Sequence, residues 1–388
     1  MGVMLRLLTA GESHGRALVG VLEGLPAAIP VSPKEISGEL ARRRHGYGRS
    51  GRQKLEADRL QIASGVRHGR TLGSPIALTI ENAEWEDKYQ GLMGVEGETP
   101  AADRLTKPRP GHADLPGVQK YGFDDVRNVL ERASARETAM RVALGSLCKS
   151  FLAELGIHVV SHVVRIGRVA VRGSRVPLPE DLDAVDASPV RCFDEDAGAR
   201  MVAEIDVVRK DRDTIGGVFE VLAYGCPPGL GSHVHYDRKL DGRLAQSLMS
   251  IQSVKGVEIG DGFSSAARLG SKAHDEIITS GGRLQRTTAR AGGIEGGMST
   301  GQPIRVRAAM KPFSTVPKPL ATVDLRTGAP DVAIKQRTDV CAVPAGAVVG
   351  EAAVAFVLAQ AALEKFGGDS LPESRRNLDG YLAGLELP

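Results

Sequence analysis

The 388-residue sequence predicts an α+β protein with layered sheets and helices, folded as one large domain over residues 1–388. Strand-like and helix-like apolar patterns are both present, but they do not alternate as the βαβ units of a doubly wound sheet would. The sequence shows no repeat, low-complexity tract or obvious linker, so nothing in it marks a boundary between folding units.

Short apolar stretches bounded by turn residues predict the strands. The first covers residues 18–24 and is followed by Pro26 and Pro30. Residues 304–307 alternate apolar and basic side chains, as a strand with one buried face does. The other predicted strands cover residues 60–62, 76–80, 159–171, 214–222 and a segment around Val257.

Capping signals and helical periodicity predict the helices. Ser32 and Glu35 form a capping box with Pro33 at the first helical position, and Gly46 is expected to end this helix. Ser134 opens a second capping box, which apolar residues at helical spacing follow. Helices are also expected at residues 199–210, 240–251 and 344–366.

The last of these helices lies in the most apolar part of the chain, residues 340–363. Pro344 and Glu351 interrupt the apolar run, and the uncharged pieces on either side of Glu351 are too short to cross a bilayer. The segment is therefore predicted to be a helix buried in the protein core.

Two segments lack a clear periodic pattern. Residues 82–110 contain several Gly and Pro, and an irregular stretch of this length in a compact domain is commonly functional or mobile. We expect these residues to form a mobile loop at the active site, and residues 368–388 to form a C-terminal tail.

Composition and charge argue against several classes of function. The chain has 50 Lys and Arg against 47 Asp and Glu, so no overall charge draws it to DNA or to membranes. Aromatic residues make up 4% of the sequence, which is too few for binding single strands by base stacking.

The four cysteines predict neither a zinc site nor a disulfide framework, because none of them forms a C-x-x-C pair. No other metal site is expected: His233 and His235 could form a pair of ligands, but no third ligand is evident. The N-terminus lacks the architecture of a signal peptide. A cytoplasmic protein with reduced thiols is therefore expected.

Two short motifs match known patterns without the context that those patterns need. Residues 11–15, GESHG, fit the G-x-S-x-G of a nucleophile elbow, but a strand rather than a helix is predicted after Ser13. Residues 46–51, GYGRSG, fit a G-x-G-x-x-G dinucleotide fingerprint but follow a helix rather than a strand. Neither a hydrolase nor a Rossmann site is expected.

Six basic residues and no acidic ones lie between Arg42 and Lys54. Such a run is most often a solvated face, and it can also bind nucleic acid or line a pocket for a small anion. Further segments with cations, hydroxyls or flexible glycines favour the pocket, because these groups suit phosphate and carboxylate. These segments are residues 104–112, 131–134, 292–298, 311–315 and 337–339.

These segments resemble the chorismate synthase family, and the resemblance runs in order from residue 10 to about residue 345. The matching stretches are AGESHGRALVG, ARRRHGYGRSGR, RPGHADLPGVQKYGFDDVRNVLERASARET, IQSVKGVEIGDGF, AGGIEGGMSTGQPIRVRAAMKPFSTVPKPL and IKQRTDVCAVPA. The sequence departs from the family pattern at residue 289, where this chain has Ala and we expect Asn in most members.

The resemblance implies both a fold and a function. The family folds as a β-α-β sandwich and is usually homotetrameric. It catalyses the last step of the shikimate pathway, a 1,4-anti elimination of phosphate from 5-enolpyruvylshikimate-3-phosphate that gives chorismate. The reaction requires reduced FMN although no net redox change occurs. A separate flavin reductase is expected here, with NADPH as a candidate source of electrons.

Three residues take catalytic roles by this resemblance. His14 matches the histidine beside the leaving phosphate and would donate a proton to it. His112 matches a histidine near the reduced flavin ring, where it would supply or share a proton. Asp339 matches a carboxylate that works with a flavin ring nitrogen in taking the ring proton of the substrate. Ser13 is expected to make only a polar contact.

Binding residues also follow from the resemblance. Arg43 and Arg49 match arginines that meet the anionic substrate or a nicotinamide nucleotide. Substrate and cofactor together carry two phosphates and two carboxylates, and fixed cations are needed because unpaired buried charge is costly. The residues that match flavin contacts are Arg132, Ala133, Ser134, Gln252, Ser253, Gly296, Lys311, Pro312, Phe313, Ser314, Thr315 and Arg337.

Two other functions stay open at the level of sequence. One is a regulator that binds anions or nucleotides on the same fold, although the intact His14, His112 and Asp339 argue against it. The other is a nucleic-acid-binding protein that uses the run from Arg42 to Lys54, which predicts steeply salt-dependent DNA binding without turnover.

Overall fold

A computed structural model of the chain describes residues 5–49, 59–281, 283–318, 320–334 and 338–385. The strands in these ranges are β1 (Arg6–Ala10), β2 (Ala17–Glu23), β3 (Arg59–Ser64), β4 (Val66–Arg67), β5 (Arg70–Thr71), β6 (Ile76–Glu81), β7 (His158–Ile166), β8 (Val169–Ala170), β9 (Gly217–Tyr224), β10 (Val254–Ile259), β11 (Ile277–Ser280), β12 (Arg283–Arg286), β13 (Ile294–Glu295), β14 (Met298–Ser299), β15 (Ile304–Met310), β16 (Ala321–Val323) and β17 (Pro330–Val332). The α-helices are α1 (Pro33–Arg44), α2 (Gln90–Met93), α3 (Asp114–Tyr121), α4 (Arg127–Ala133), α5 (Thr138–Glu154), α6 (Leu182–Ala187), α7 (Glu195–Lys210), α8 (Leu240–Met249), α9 (Gly270–Ala273), α10 (Val343–Phe366) and α11 (Leu371–Ala383).

Two antiparallel sheets form the outer layers of the molecule. The first has the strand order β1-β2-β6-β3, and the second has the order β10-β15-β9-β7-β8. Every strand predicted from the sequence lies in one of these two sheets. The predicted strand at residues 159–171 is a hairpin, because a turn at Gly167 separates β7 from β8.

Helices α5 and α10 lie between the two sheets. Helix α5 packs on β2 and β6, α10 packs on β7 and β9, and the two helices pack along each other. Helices α1 and α8 also pack against α10. This is the layered α+β sandwich that the sequence predicts, and the prediction of the fold class is confirmed.

Glycine permits the close approach of these layers at two points. A Cβ atom on Gly20 of β2 would stand 2.5 Å from the Sδ of Met140 on α5. A Cβ atom on Gly145 of α5 would stand 2.5 Å from the Cβ of Ala352 on α10. A larger side chain at either position would push α5 away from its neighbours.

The two predicted capping boxes begin helical segments. Ser32 accepts a hydrogen bond from the Glu35 amide at 3.3 Å, and α1 then ends at Arg44, two residues before Gly46. The Ser134 side chain accepts from the Arg136 amide at 3.4 Å. It begins a 3₁₀ turn that leads directly into α5.

The two segments without a periodic pattern contain short helical elements. Residues 82–110 include a π-helical turn, Trp85–Tyr89, followed by α2, and are otherwise irregular. The C-terminal tail contains α11, which packs against α5 and α10.

Helix α10 is the apolar helix that the sequence predicts at residues 344–366. By length and composition alone it could cross a membrane, but most of it is buried inside the protein. The prediction of a buried core helix is therefore confirmed.

The carboxylate of Glu351, in the middle of α10, is completely buried. Its oxygens lie 2.8 Å from both Arg42 Nη1 and Lys149 Nζ and 3.2 Å from Arg191 Nη2, and they accept a hydrogen bond from Ser161 at 2.7 Å. Burial alone would raise the pKa of Glu351, but the attraction of Arg42 and Lys149 outweighs it and holds the pKa well below its usual range. The cluster ties α1 and α5 to α10.

Glu351→Gln is expected to lower the free energy of unfolding by about 3–5 kcal/mol at neutral pH, because it removes the buried carboxylate that Arg42, Lys149 and Arg191 share. A depressed pKa contributes stability that is complete above the unfolded value of 4.5 and is lost as the pH falls through the folded value. The difference between the two proteins should therefore shrink at pH values below about 4.5. Urea unfolding at several pH values measures it.

The matched control is Glu364→Gln on the same helix, where the side chain is 48% exposed and pairs with Arg243. This change should cost less than about 1 kcal/mol, as exposed ion pairs do. Equal losses in the two variants would show that the buried cluster contributes nothing of its own.

Candidate active site

One cavity of about 500 Å³ collects most of the residues that the sequence analysis selected. This volume lies in the usual range for small-molecule sites, roughly 300–1,000 Å³. The selected residues that line it are Ser13, His14, Arg43, Arg49, His112, Ala133, Ser134, Gln252, Ser253, Lys311, Phe313, Ser314, Thr315 and Asp339.

Three of the predicted flavin residues in the described part of the chain, Arg132, Gly296 and Pro312, are not among the residues that line this cavity. Pro312 is next to lining residues, and Arg337 lies outside the described part of the chain. The Arg132 guanidinium donates to the carbonyl oxygens of Thr9 and Gly11, at 2.8 and 2.9 Å, and so holds the end of β1.

Gly296 lies in the turn between β13 and β14, near the start of α8. The carbonyl of Gly297 accepts from the Leu240 amide at 2.9 Å, whereas Gln252 follows the opposite end of that helix. A ten-residue helix is ~15 Å long, so the chain brings Gly296 and Gln252 to opposite ends of α8.

Positive charge dominates the cavity. Among its described lining residues, the one carboxylate is that of Asp339, 3.0 Å from Arg49. Such a surplus of fixed cations suits a ligand with several negative charges. The cationic lining residues are Arg43, Arg49, Arg109, Arg136, Lys255 and Lys311.

The basic run that begins at Arg42 does not form a single solvated face. Arg42 turns inward to Glu351, whereas Arg43 reaches the cavity and donates to Thr138 Oγ1 and the Ala135 carbonyl, both at 3.0 Å. Arg52 and Lys54 lie outside the described residues. Neighbouring arginines therefore serve the core and the cavity separately.

His14 stands in the turn between β1 and β2, and Glu131 of α4 holds it. The Glu131 Oε2 atom lies 2.8 Å from His14 Nδ1 and accepts a hydrogen bond from the His14 amide at 3.0 Å. The ring of Tyr89 packs on the imidazole with 4.4 Å between the centroids. Tyr89 belongs to the irregular segment 82–110, which thus borders the cavity.

Ser13 has no helix behind it. It is followed by the turn and then by β2, so the strand predicted after Ser13 is confirmed, and a nucleophile elbow would need a helix at this point. Its amide donates to the Glu131 carbonyl at 2.9 Å.

His112 is held by a second carboxylate. Its Nδ1 atom makes a short hydrogen bond with Asp114, which is completely buried and also binds the Arg109 side chain at 2.8 Å. Burial alone would raise the pKa of Asp114, but the hydrogen bonds from His112 and Arg109 outweigh it and hold the pKa well below its usual range. Asp114 therefore stays ionised beside His112.

Lys311 and Ser314 position the residue before His112. The Lys311 Nζ donates to the Gly111 carbonyl at 2.6 Å and to Ser314 Oγ at 2.9 Å, and Ser314 also donates to that carbonyl at 2.8 Å. Burial, and then the charge of Lys255, lower the pKa of Lys311 from its usual value. Both effects disfavour the positive charge of Lys311, so an anion beside it would stabilise its ammonium form.

Gln252 and Ser253 form the junction between α8 and β10. The Gln252 amide donates to Glu137 at 3.3 Å, while its Oε1 atom is buried and accepts no hydrogen bond within the described part of the chain. Ser253 has a φ of 71°, which is uncommon for a residue other than glycine. Gln252 therefore lines the cavity with an amide group whose oxygen still lacks a donor among the described residues.

Several important residues were not assigned a role from the sequence. Glu131, Asp114 and Arg109 hold the two histidines, and Tyr89 covers one of them. The H-A-D spacing of residues 112–114 is a usable signal for the second pair. The contact between His14 and Glu131 joins residues 117 apart, and no local pattern indicates it.

The cysteines and the histidines outside the cavity do not form a metal site among the described residues. Within the described residues, no group of three or more His, Cys, Asp or Glu side chains is arranged to hold a metal ion. All four cysteines are buried free thiols, and burial raises the pKa of Cys148 and of Cys226 to about 12.

Comparison with known proteins gives one consistent result. The family model described as chorismate synthase matches residues 5–363. The chorismate synthase of Leifsonia xyli subsp. xyli is 61% identical over 98% of this chain and 96% of the relative, and that of Salinispora tropica is 60% identical over 98% and 99%. A crystal structure of chorismate synthase is 42% identical, covers 100% of this chain and 99% of its own, and gives a TM-score of 0.79.

Inorganic phosphate should bind in the cationic cavity and stabilise the folded protein. At ten times its Kd, this binding should raise the free energy of unfolding by about 1.4 kcal/mol. Arg49→Ala should reduce this stabilisation because it removes a cation and leaves Asp339 without that partner. Thermal unfolding with and without phosphate measures the effect. Arg168→Ala, whose side chain is 86% exposed, is the control and should respond like the unchanged protein. An identical response in Arg49→Ala would count against anion binding here.

Proposed function

The chain belongs to the chorismate synthase family, and we propose that this cavity carries out the family's reaction with the side chains described above. The protein is a lyase of the shikimate pathway. The reaction we propose is the 1,4-anti elimination of phosphate from 5-enolpyruvylshikimate-3-phosphate to give chorismate, with reduced FMN required and no net redox change.

One observation carries the assignment of the site. His14, His112, Asp339 and six cationic side chains come from separate parts of the chain and line the same cavity. The substrate carries a phosphate and two carboxylates, and such a ligand needs several fixed cations when it leaves water. A nucleic-acid-binding surface would instead spread its cations over an exposed face.

The residues present fit FMN as well. The cavity offers cations for a phosphate, the apolar side chains of Phe313, Met249 and Ile251, and the unpartnered Gln252 oxygen for a ring N–H. When bound, reduced FMN would lend electron density to the substrate and recover it.

The histidines would handle the protons. The His14 Nε2 atom is the ring nitrogen that Glu131 leaves free, and it would donate a proton to the departing phosphate. His112, held through Nδ1 by Asp114, would supply or share a proton with the reduced flavin. Asp339 would help to take the ring proton of the substrate, and its carboxylate lies 3.0 Å from Arg49.

The remaining residues would bind the substrate or the flavin. Arg43 and Arg49 would hold the anionic substrate or a nicotinamide nucleotide. Arg132, whose guanidinium holds the end of β1, would act mainly through the backbone that it orders. The proposed flavin contacts are Arg132, Ala133, Ser134, Gln252, Ser253, Gly296, Lys311, Pro312, Phe313, Ser314, Thr315 and Arg337.

The working form proposed for the protein is a cytoplasmic homotetramer of single-domain subunits. Leu8 and Val19 stand on the outer face of the first sheet, 71% and 38% exposed, and support a subunit contact there. The buried free thiols support a reducing compartment. Residues 82–110 would form a mobile loop over the cavity, and a separate reductase that uses NADPH would supply the reduced flavin.

His14→Ala and His112→Ala are each expected to lower kcat by ~10²–10⁴, which is the usual contribution of general acid–base catalysis. The assay is anaerobic, with dithionite-reduced FMN and the enolpyruvyl substrate, and follows chorismate and phosphate together. His235→Ala is the control, because that histidine is exposed beside Asp237 and should not affect turnover. Near-normal rates in both cavity variants would remove their assigned roles.

Gln252→Ala is expected to weaken the binding of reduced FMN about tenfold, which corresponds to roughly 1.4 kcal/mol for one buried hydrogen bond. Anaerobic titration of the protein with reduced FMN measures the Kd. Gln285→Ala, at an exposed position of β12, is the control and should leave the Kd unchanged. If both variants bind like the unchanged protein, Gln252 is not a flavin contact.

A further inference from the structure

We infer that Glu131 is a positioning residue for His14 and fixes which nitrogen of the imidazole faces the cavity. The inference rests on the proposed role of His14 as the proton donor. Glu131 itself does not line the cavity, so it would act through the histidine rather than on the substrate.

The contacts of Glu131 define the orientation of the ring. Its Oε2 atom accepts from the His14 amide at 3.0 Å and lies 2.8 Å from His14 Nδ1. A carboxylate has no proton to donate, so Nδ1 must carry the hydrogen of this bond. Nε2 is then the nitrogen that exchanges a proton with a ligand, and Nδ1 keeps its own proton throughout.

The position of Glu131 is itself fixed. Its side chain is 1% exposed, it lies in the last turn of α4, and its backbone carbonyl accepts from the Ser13 amide at 2.9 Å. Backbone and side chain of this residue thus hold two successive residues of the β1–β2 turn. The second carboxylate oxygen, Oε1, lies 3.6 Å from Arg127 and has no hydrogen-bond partner in the described structure.

The second histidine of the cavity repeats the arrangement. His112 also meets a buried carboxylate, that of Asp114, through Nδ1. The two pairs differ in what else the carboxylate binds. Asp114 is hydrogen-bonded to Arg109, whereas Glu131 pairs only at 3.6 Å with the Arg127 guanidinium. The main hydrogen-bonding task of the Glu131 side chain is therefore to hold His14.

Loss of this carboxylate should affect turnover rather than substrate affinity. In Glu131→Leu the ring can rotate or take the other tautomer, and we expect kcat to fall on the order of 10²-fold while KM changes less than about threefold. The change is smaller than the ~10⁴-fold loss that follows a wrong tautomer in a serine protease triad. Glu131→Gln keeps an oxygen acceptor without the charge and should recover part of the loss.

A double-mutant cycle tests the mechanism on the full-length enzyme with reduced FMN. If Glu131 acts through His14, then adding Glu131→Leu to His14→Ala should lower kcat no further. A further loss of similar size in the His14→Ala background would overturn the inference, and so would a normal kcat in Glu131→Leu. Glu220→Gln is the matched control: it is another buried glutamate beside a histidine, His162 at 3.2 Å, and it lies away from this cavity.

A spectroscopic measurement separates this inference from the proposed function. In protein labelled with ¹⁵N-histidine, the neutral His14 ring should carry its proton on Nδ1, and Glu131→Leu should give a mixture of tautomers. The His14 signals are identified by their loss in His14→Ala. Normal turnover in His14→Ala would remove the proton-donor role, and the spectrum would then still decide whether Glu131 orients the ring. A His14 ring with its proton on Nε2 in the unchanged protein would overturn the inference.

Discussion

The buried carboxylate of Glu351 is the constraint around which the helical layer is organised. A lone charge in this position would be very costly, so cations from α1, α5 and the loop before α7 converge on it. The consequence reaches the cavity, because Arg42, which binds Glu351, directly precedes Arg43. The same helical turn thus delivers one guanidinium to the core and the next to the active site.

The candidate active site is assembled from segments that are distant in the sequence and that the two sheets and the helices between them hold in place. The repulsion between its cations is partly offset by carboxylates of the protein itself. Arg49 pairs with Asp339, and Arg109 pairs with Asp114. Each carboxylate also serves a second purpose, since Asp114 orients His112 and Asp339 faces the cavity. The carboxylates that balance the charge of this cavity are therefore also the ones that orient or supply its candidate catalytic groups.

The sequence predicts much of this fold, because the strands and the long helices carry strong local signals. The capping box at Ser32 and the apolar run of α10 appear in the structure where they are expected. The site was accessible mainly through its resemblance to a family, because single motifs such as GESHG also fit unrelated chemistry. Partners such as Glu131 and Tyr89 could not be predicted, since contacts between remote segments leave no periodic or local pattern. Arg42 shows the same limit: its neighbours suggest a ligand site, but packing sends its side chain to the core.

The hydrogen bonds of Lys311 connect the state of the cavity to the chain that carries His112. An ammonium group has three hydrogens, and that of Lys311 donates two of them, one to the Gly111 carbonyl and one to Ser314 Oγ. Within the described residues the third hydrogen has no acceptor, so an anion that accepts from it would bind the same group that restrains the peptide immediately before His112. The same ammonium group thus borders the cavity and restrains the peptide that precedes His112, so ligand binding and the placement of that imidazole share one side chain.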